Sequence, residues 1–422
     1  MLLHGLLLAL QAILASSAAI TSPSSSNHLS TAAREKCQTT LQCPPGTIIV
    51  SNTNTHSDIS NFTTLQAAIN ALPNDNSSQT ILLLSGSYNE QVNITRSGPI
   101  TLLGQQPDRA ALTDPARNTV NLTFAGANSD SSGNIDNVWF SVMVVAPTLD
   151  ASLTGSGTTG YPVPADTPFG NTNFRVYNID FRNTYAPYSA GPAHAISFSR
   201  SNGGFYYCGF YSYQDTVHPP SLPPSPPLPS SNTNKEIQIY IGKLGSAYMY
   251  KSILAGQTDF LYGFGTLFIQ SSQIILRSCG GGITAWKGTN TTVRNNYGVY
   301  IHDSTINAAN SSIAEQIQGS CALGRPWNSL HRSIFANTYE DGSIEPSGYI
   351  NWEDRWSKNE TLMAEYRAYG PGFNLTGREE SEVSVLLSSS EEERYRDPKR
   401  VFLFEDGREG NVAWIDWDVV SS

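Results

Sequence analysis

The sequence predicts an all-β chain folded as a right-handed parallel β-helix, in which short strands stack coil on coil behind one N-terminal capping helix. Apolar runs rich in β-branched and aromatic residues recur roughly every 20–30 residues, each closed by Gly, Asn, Asp or Ser. That spacing is too wide for simple hairpins, and no crossover helices separate the runs as a doubly wound sheet requires. Two runs also end alike, in Phe210-Tyr211-Ser212-Tyr213-Gln214-Asp215 and Leu254-Ala255-Gly256-Gln257-Thr258-Asp259. Each has an apolar residue five positions before its carboxylate and a small residue three before it. A β-sandwich is the alternative architecture.

The elements follow in chain order. Residues 1–19 read as a secretory signal: an apolar stretch to Leu14, then Ala15-Ser16-Ser17-Ala18-Ala19, without a basic start. The stretch is too short to cross a bilayer, and no later segment approaches the ~20 apolar residues a span needs. Residues 20–60, rich in Ser, Thr and Asn, are expected to be a loose arm. Phe62 to Leu72 reads as the capping helix, with Leu65, Ala68, Ile69 and Leu72 on one face, a Thr63/Gln66 capping box and Pro73 as the stop. Strands are expected at Ile81–Leu84, Ile100–Leu103, Thr119–Phe124, Val138–Val145, Phe174–Phe181, His194–Phe198, Phe205–Phe210, Ala247–Leu254, Thr266–Leu276, Tyr297–Ile301 and Ser333–Phe335, with no further helices. Together residues 61–378 form the β-helix domain. Pro219 to Ser231 is a polyproline-type excursion that cannot continue a strand. Asp215 and Asp259 are 44 apart (259 − 215), and removing the thirteen-residue excursion leaves 31, about one solenoid turn. Residues 379–422 are a charged tail, in which Phe402-Leu403-Phe404 and Trp414–Trp417 pack back on the solenoid.

Composition narrows the function. A net charge of −10 over 422 residues argues against nucleic acid or an anionic membrane as partner, but not against an anionic polysaccharide held by hydrogen bonds and aromatic stacking. Eight sequons, at Asn61, Asn76, Asn93, Asn121, Asn290, Asn310, Asn359 and Asn374, fit a secreted, extracellular glycoprotein. Of the five cysteines, Cys37 and Cys43 are close enough for a local disulfide, and Cys208, Cys279 and Cys321 read as buried small hydrophobes. No cysteine has a histidine at metal-ligand spacing, so no metal site is expected.

If Asp215 and Asp259 occupy equivalent places in adjacent coils, their strands lie ~4.8 Å apart. Carboxylates that close do not ionise alike, so one can hold a proton while the other attacks as an anion. Capping of turns is the ordinary alternative for both.

With strands and aspartates placed, the motifs resemble those of the pectin methylesterases (pectinesterases), particularly the secreted fungal ones, over roughly residues 45–375. Gly86-Ser87-Tyr88-Asn89-Glu90 is similar to the family's G-x-Y-x-E element, and Tyr213-Gln214-Asp215-Thr216-Val217 to Y-Q-D-T-L. Asp259-Phe260-Leu261-Tyr262-Gly263 is similar to D-F-I-F-G, Leu323-Gly324-Arg325-Pro326-Trp327 matches L-G-R-P-W, and Gly370-Pro371-Gly372 after Glu365-Tyr366 resembles the closing element. The resemblance implies hydrolysis of the methyl esters of homogalacturonan (pectin), without cofactor or metal, by a monomer. It implies Asp259 as nucleophile, Asp215 as acid and then base, Gln214 as oxyanion donor, and Arg325 holding Asp259 ionised and aimed. Trp327 is implied as an aromatic wall for a sugar ring, and Phe260, Tyr349 and Trp352 as further substrate contacts. Chemistry agrees: methoxide leaves poorly without a proton, and one oxyanion donor is worth about 3 kcal/mol. Tyr88 and Glu90 read as an inward tyrosine and a turn-stabilising carboxylate.

Two departures stand out. Where the family has a second oxyanion Gln, the strand here begins His194-Ala195-Ile196, and the family's Gly-Trp element reads Gly348-Tyr349 with Trp352 close behind. Either ring nitrogen of His194 can donate, so it is a candidate replacement. Two other readings compete: a polysaccharide-cleaving hydrolase or lyase on the same fold, since paired carboxylates also suit a glycosidase, and a weakly active pectin-binding homologue.

Overall fold

The computed structural model describes residues 29–53, 58–128, 136–154, 162–164, 166–185, 191–212, 237–289, 296–404 and 406–421. The signal segment, the Pro-rich excursion, Gln214 and Asp215 lie outside these residues. The strands form a right-handed parallel β-helix of three sheets with eleven, eight and seven strands among the described residues. Every pairing between two of these strands is parallel, and successive coils supply successive strands of each sheet. Coil length varies. Tyr248 pairs with Phe268, 20 residues on, whereas Val299 pairs with Ser333, 34 residues on.

In-register pairing turns the sequence into ladders. Val176, Phe205, Met249, Ile269, Ile301 and Phe335 occupy partnered positions in successive coils and are all fully buried inside the solenoid. On the other face of the same eleven-stranded sheet, Tyr248, Phe268, Tyr300 and Ile334 form a second ladder. That ladder is buried too, together with Phe402, Trp414 and Ile415 of the C-terminal segment. Burial on both faces explains why these strands read as continuous apolar runs. Asp416 ties the segment down: its Oδ2 accepts the Tyr177 hydroxyl at 2.5 Å and its N–H donates to the Tyr206 hydroxyl at 2.6 Å.

Several runs expected as single strands are pairs joined at a sharp corner, as in Phe174–Tyr177 with Asp180–Asn183 and Ser246–Tyr250 with Ile253–Gly256. Asn178, Tyr207, Lys251, Ser271, Asp303, Asn337 and Arg367 hold these corners with φ between 45° and 56°. A left-handed non-glycine residue costs roughly 1–3 kcal/mol, so the corner must be over-determined. The N–H groups of the first six donate to the next coil: Asn178 to Tyr206 O, Tyr207 to Tyr250 O, Lys251 to Gln270 O, Ser271 to His302 O, Asp303 to Ala336 O and Asn337 to Tyr366 O, at 2.8–3.1 Å. The following residue adds a side-chain ladder. The N–H groups of Cys208, Ser252 and Ser272 donate to the hydroxyls of Ser252, Ser272 and Ser304 respectively.

The ends correct several expectations. The arm holds a helix at Thr31–Thr40, closed by the Cys37–Cys43 disulfide, and Gln38 Nε2 donates to Gly104 O and Asn178 Oδ1. Its polar composition hid it, because the buried face rests on Gln38 and Cys37 rather than on an apolar stripe. The capping helix is shorter than expected, Leu65–Asn70, with Thr64 rather than Thr63 as its cap. The partner of the cap is Glu90, whose carboxylate accepts the Leu65 and Gln66 N–H groups at 2.8 Å each. Further helices occur, including Ser311–Ile317 and Leu375–Glu380. Cys279 and Cys321 form a disulfide between neighbouring coils, so only Cys208 of that trio is a buried thiol, pushed up to about 12 by burial.

Near the C-terminal end, buried Arg378 bridges Glu340 (2.8 Å) and Glu365 (2.8 Å). Burial and the neighbouring Glu365 charge push Glu340 up to about 9, against the pull of Arg378. The folded protein therefore holds a proton there that the unfolded chain releases near the ordinary 4.5. Its stabilisation is complete below pH 4.5 and is lost as pH rises to about 9. Thermal unfolding followed across this range should show a falling midpoint, and Glu340→Gln, which carries no titratable proton, should flatten that slope. An unchanged slope in Glu340→Gln would exclude this group as its source.

Candidate active site

Asp259 ends the turn after the strand Ile253–Gly256 and precedes Leu261–Gly263 of the seven-stranded sheet. Its φ is 46°, a left-handed conformation that a short polar side chain tolerates better than most. The N–H of Asp259 donates to Gly282 O at 2.6 Å, and Asp259 Oδ1 accepts the Gly282 N–H at 3.1 Å. Both carboxylate oxygens meet Arg325: Nε lies 2.9 Å from Oδ1 and 3.0 Å from Oδ2, and the terminal nitrogen 2.6 Å from Oδ2. The carboxylate side chain is fully buried and the guanidinium is 4% exposed. Such a charge-assisted fork fixes the carboxylate's orientation as well as neutralising it.

Local sequence makes room for the fork. Arg325 follows the strand Ala322–Gly324, whose neighbour is Gly282–Trp286. A side chain at Gly281 would come within 2.8 Å of Arg325 Cζ, and one at Gly282 within 2.5 Å of the Gly324 backbone. The Cys279–Cys321 bridge ties the two approaching segments together. On its other side the guanidinium carries the Trp352 ring, 4.1 Å from Cζ. Trp352 in turn meets Trp327 at 4.7 Å, and Arg355 lies 4.3 Å from the Trp352 ring and 5.5 Å from that of Trp327. Trp327 is partly buried beside Tyr240, Tyr262 and Phe264, and its buried Nε1 has no partner among the described residues.

Asp215 and Gln214 lie outside the described residues, but the strands around them are described. Gly209, Phe210 and Tyr211 pair with Ile253, Leu254 and Ala255, an offset of 44 (255 − 211) that equals the offset from Asp215 to Asp259. The chain then has residues 213–236 before the strand Ile237–Ile241, where the next coil has only residues 257–260 before Leu261–Gly263.

His194 begins the outer row of the strand Ala193–Phe198 and is fully buried. Both its ring nitrogens are engaged: Nδ1 by the hydroxyls of Ser197 (2.9 Å) and Ser141 (3.1 Å), Nε2 by the hydroxyl of Tyr262 (2.9 Å). The network of Tyr262, Ser141 and Ser197 was not anticipated. A tyrosine three residues beyond Asp259 was the available signal, visible only once the two strands are known to share a sheet.

Two expected substrate contacts are corrected. Phe260 is 2% exposed in the solenoid interior, its ring lying where any side chain at Gly256 would stand. Tyr349 is 1% exposed, also interior, and its hydroxyl donates to Ala364 O at 3.1 Å. Both rings pack into the apolar interior of the solenoid. Trp352, beside Arg325, takes the outward position that Tyr349 was expected to share.

The fold and this site define a parallel β-helix protein with a buried aspartate–arginine fork beside an aromatic wall. A family model described as Pectinesterase matches residues 242–401. The chain is 27% identical over 359 residues to "Probable pectinesterase A" of Aspergillus niger, covering 84% of this chain and 88% of that one. It is also 27% identical to "Probable pectinesterase/pectinesterase inhibitor 20" of Arabidopsis thaliana, of whose length it spans 47%. Solved structures share the fold. The pectin methylesterase of Aspergillus niger superposes with a TM-score of 0.61 at 22% identity over 89% of this chain and 98% of its own. That from carrot gives 0.58 at 20% identity, over 85% and 93%. The chain is thus similar to pectinesterases in sequence over most of its length and shares the fold of the solved pectin methylesterases.

Removing one partner of a buried ion pair strands the other charge, at about 3–5 kcal/mol. Arg325→Met should lower the denaturant-unfolding free energy by about that much, and adding Asp259→Leu should recover most of it. A single variant as stable as the parent would show that the fork is dispensable for folding.

Proposed function

We propose that the protein is a secreted carboxylic-ester hydrolase that removes methyl esters from homogalacturonan and releases methanol. The observation that carries this reading is the buried Asp259–Arg325 fork, on a coil whose strand pairs with residues 209–211 at the same 44-residue offset that separates Asp215 from Asp259 in the sequence. Arg325 aims the Asp259 carboxylate at the C6 carbonyl, and attack gives a tetrahedral oxyanion. Asp215 protonates the departing methanol and then takes a proton from the water that frees Asp259. Gln214 donates to the oxyanion, and Trp327 and Trp352 offer stacking faces to the sugar chain. Secretion rests on the N-terminal signal reading and the sequons. No described helix is long and apolar enough to cross a membrane.

A polysaccharide-cleaving enzyme would use two carboxylates as well. An arginine fork over both oxygens of one of them suits a fixed attacking group, and the family match favours ester chemistry. Methylated pectin incubated with the protein should yield methanol with no change in chain length, and Asp259→Asn should abolish that release while leaving the β-sheet signal intact. Asp215→Asn should be severely impaired. Chain shortening without methanol would overturn the reading.

A further inference from the structure

Trp352 lies on a loop outside the strands, yet the turn it opens is closely specified. Tyr349 bridges to Gly324, the Ile350 N–H donates to Gly324 O at 3.2 Å, and the chain then leaves the sheet until the strand Leu362–Tyr366. Within this loop Glu353 and Asp354 are both left-handed, with φ of 52° and 51°, and the Arg355 N–H closes the turn on Trp352 O at 3.1 Å. Two successive positive φ values suit Asn-Gly or Gly-Gly. A glutamate and an aspartate hold them only where the contacts around them over-determine the conformation. Those contacts belong to the two ends of the turn.

Trp352 and Arg355 stand first and fourth in the turn, and Arg355 Cζ lies 4.3 Å from the centre of the Trp352 ring. The same indole meets the Arg325 guanidinium, 4.1 Å from its Cζ. Arg355 Nη1 donates to Trp327 O at 3.0 Å, which ties this loop to the segment that follows Arg325. Thr361 Oγ1 makes a second tie, donating to Ser329 O at 2.7 Å. The Arg355 side chain is 27% exposed and pairs with exposed Glu353, so its charge is not stranded. A continuous series of contacts thus runs from Asp259 through Arg325 and Trp352 to Arg355. Bonds from two nitrogens to the carboxylate leave a guanidinium able to tilt about the line between them. A ring packed against Cζ limits that tilt, provided that the ring itself is held, and a planar cation stacked on the indole holds it.

We propose that Arg355 is a positioning residue for the ester chemistry: it holds Trp352 against Arg325 and so keeps the Asp259–Arg325 fork in one geometry. The proposal rests on the methylesterase reading. Small displacements of a reacting group are costly, so Arg355→Met should lower kcat for methanol release by about 10–100-fold with KM little changed. Arg355→Lys, which keeps a cation over the indole and a donor for Trp327 O, should retain most of the kcat that Arg355→Met loses. In a Trp352→Ala background Arg355→Met should lower kcat no further, because its effect passes through the indole. If Arg355→Met fails to fold, Arg355→Gln takes its place, since its amide can donate to Trp327 O but offers the indole no cation. A raised KM at parental kcat would make Arg355 a sugar contact and overturn the proposal. Parental kinetics, equal kcat in the lysine and methionine variants, or additive losses in the double variant would overturn it as well. A parent protein that releases no methanol would instead overturn the reading beneath it.

Discussion

One left-handed residue per coil, stacked at the same corner from Asn178 to Arg367, sets the register on which everything else depends. Each corner costs conformational energy, and the coil-to-coil hydrogen bonds from Asn178, Tyr207, Lys251, Ser271 and Asp303 offset it. Because a one-residue slip would turn every side chain to the opposite face, these corners and the buried ladders on both sides of the eleven-stranded sheet specify a single alignment. Two residues far apart in sequence, Asp259 and Arg325, can then meet with both carboxylate oxygens engaged.

The site itself is built where the solenoid relaxes its regular pattern. Asp259 is left-handed outside the corner series, Gly281 and Gly282 supply the space that Arg325 fills, and a disulfide fixes the two approaching segments. A buried ion pair is weak evidence for stability, since desolvation offsets much of its attraction. Its value here lies in orientation: a planar fork holds the carboxylate in one geometry, as the proposed attack on an ester carbonyl requires.

Much of this was legible in the sequence, for definable reasons. Apolar runs ending in turn residues gave the parallel solenoid, and the repeated spacing around Asp215 and Asp259 anticipated the 44-residue offset of the paired strands. The Leu323-to-Trp327 string placed Arg325 beside Asp259. What was missed shares a cause. The helix at Thr31–Thr40 buries Gln38 and Cys37, and the Cys279–Cys321 bridge joins coils whose alignment the sequence does not state. Phe260 and Tyr349 sit within or beside cleft motifs, yet alternation and turn geometry point them inward. Two of the three partners of His194, Ser141 and Tyr262, come from other strands and are brought to it only by the sheet.

The central claim is that the Asp259 carboxylate, aimed by Arg325, attacks the ester. Rapid quenching during turnover of methylated oligogalacturonate, followed by peptide mass mapping, tests it most directly. The account predicts a galacturonyl adduct on the peptide carrying Asp259, absent from Asp259→Asn. Methanol release with no adduct there, or with an adduct on another carboxylate, would contradict it.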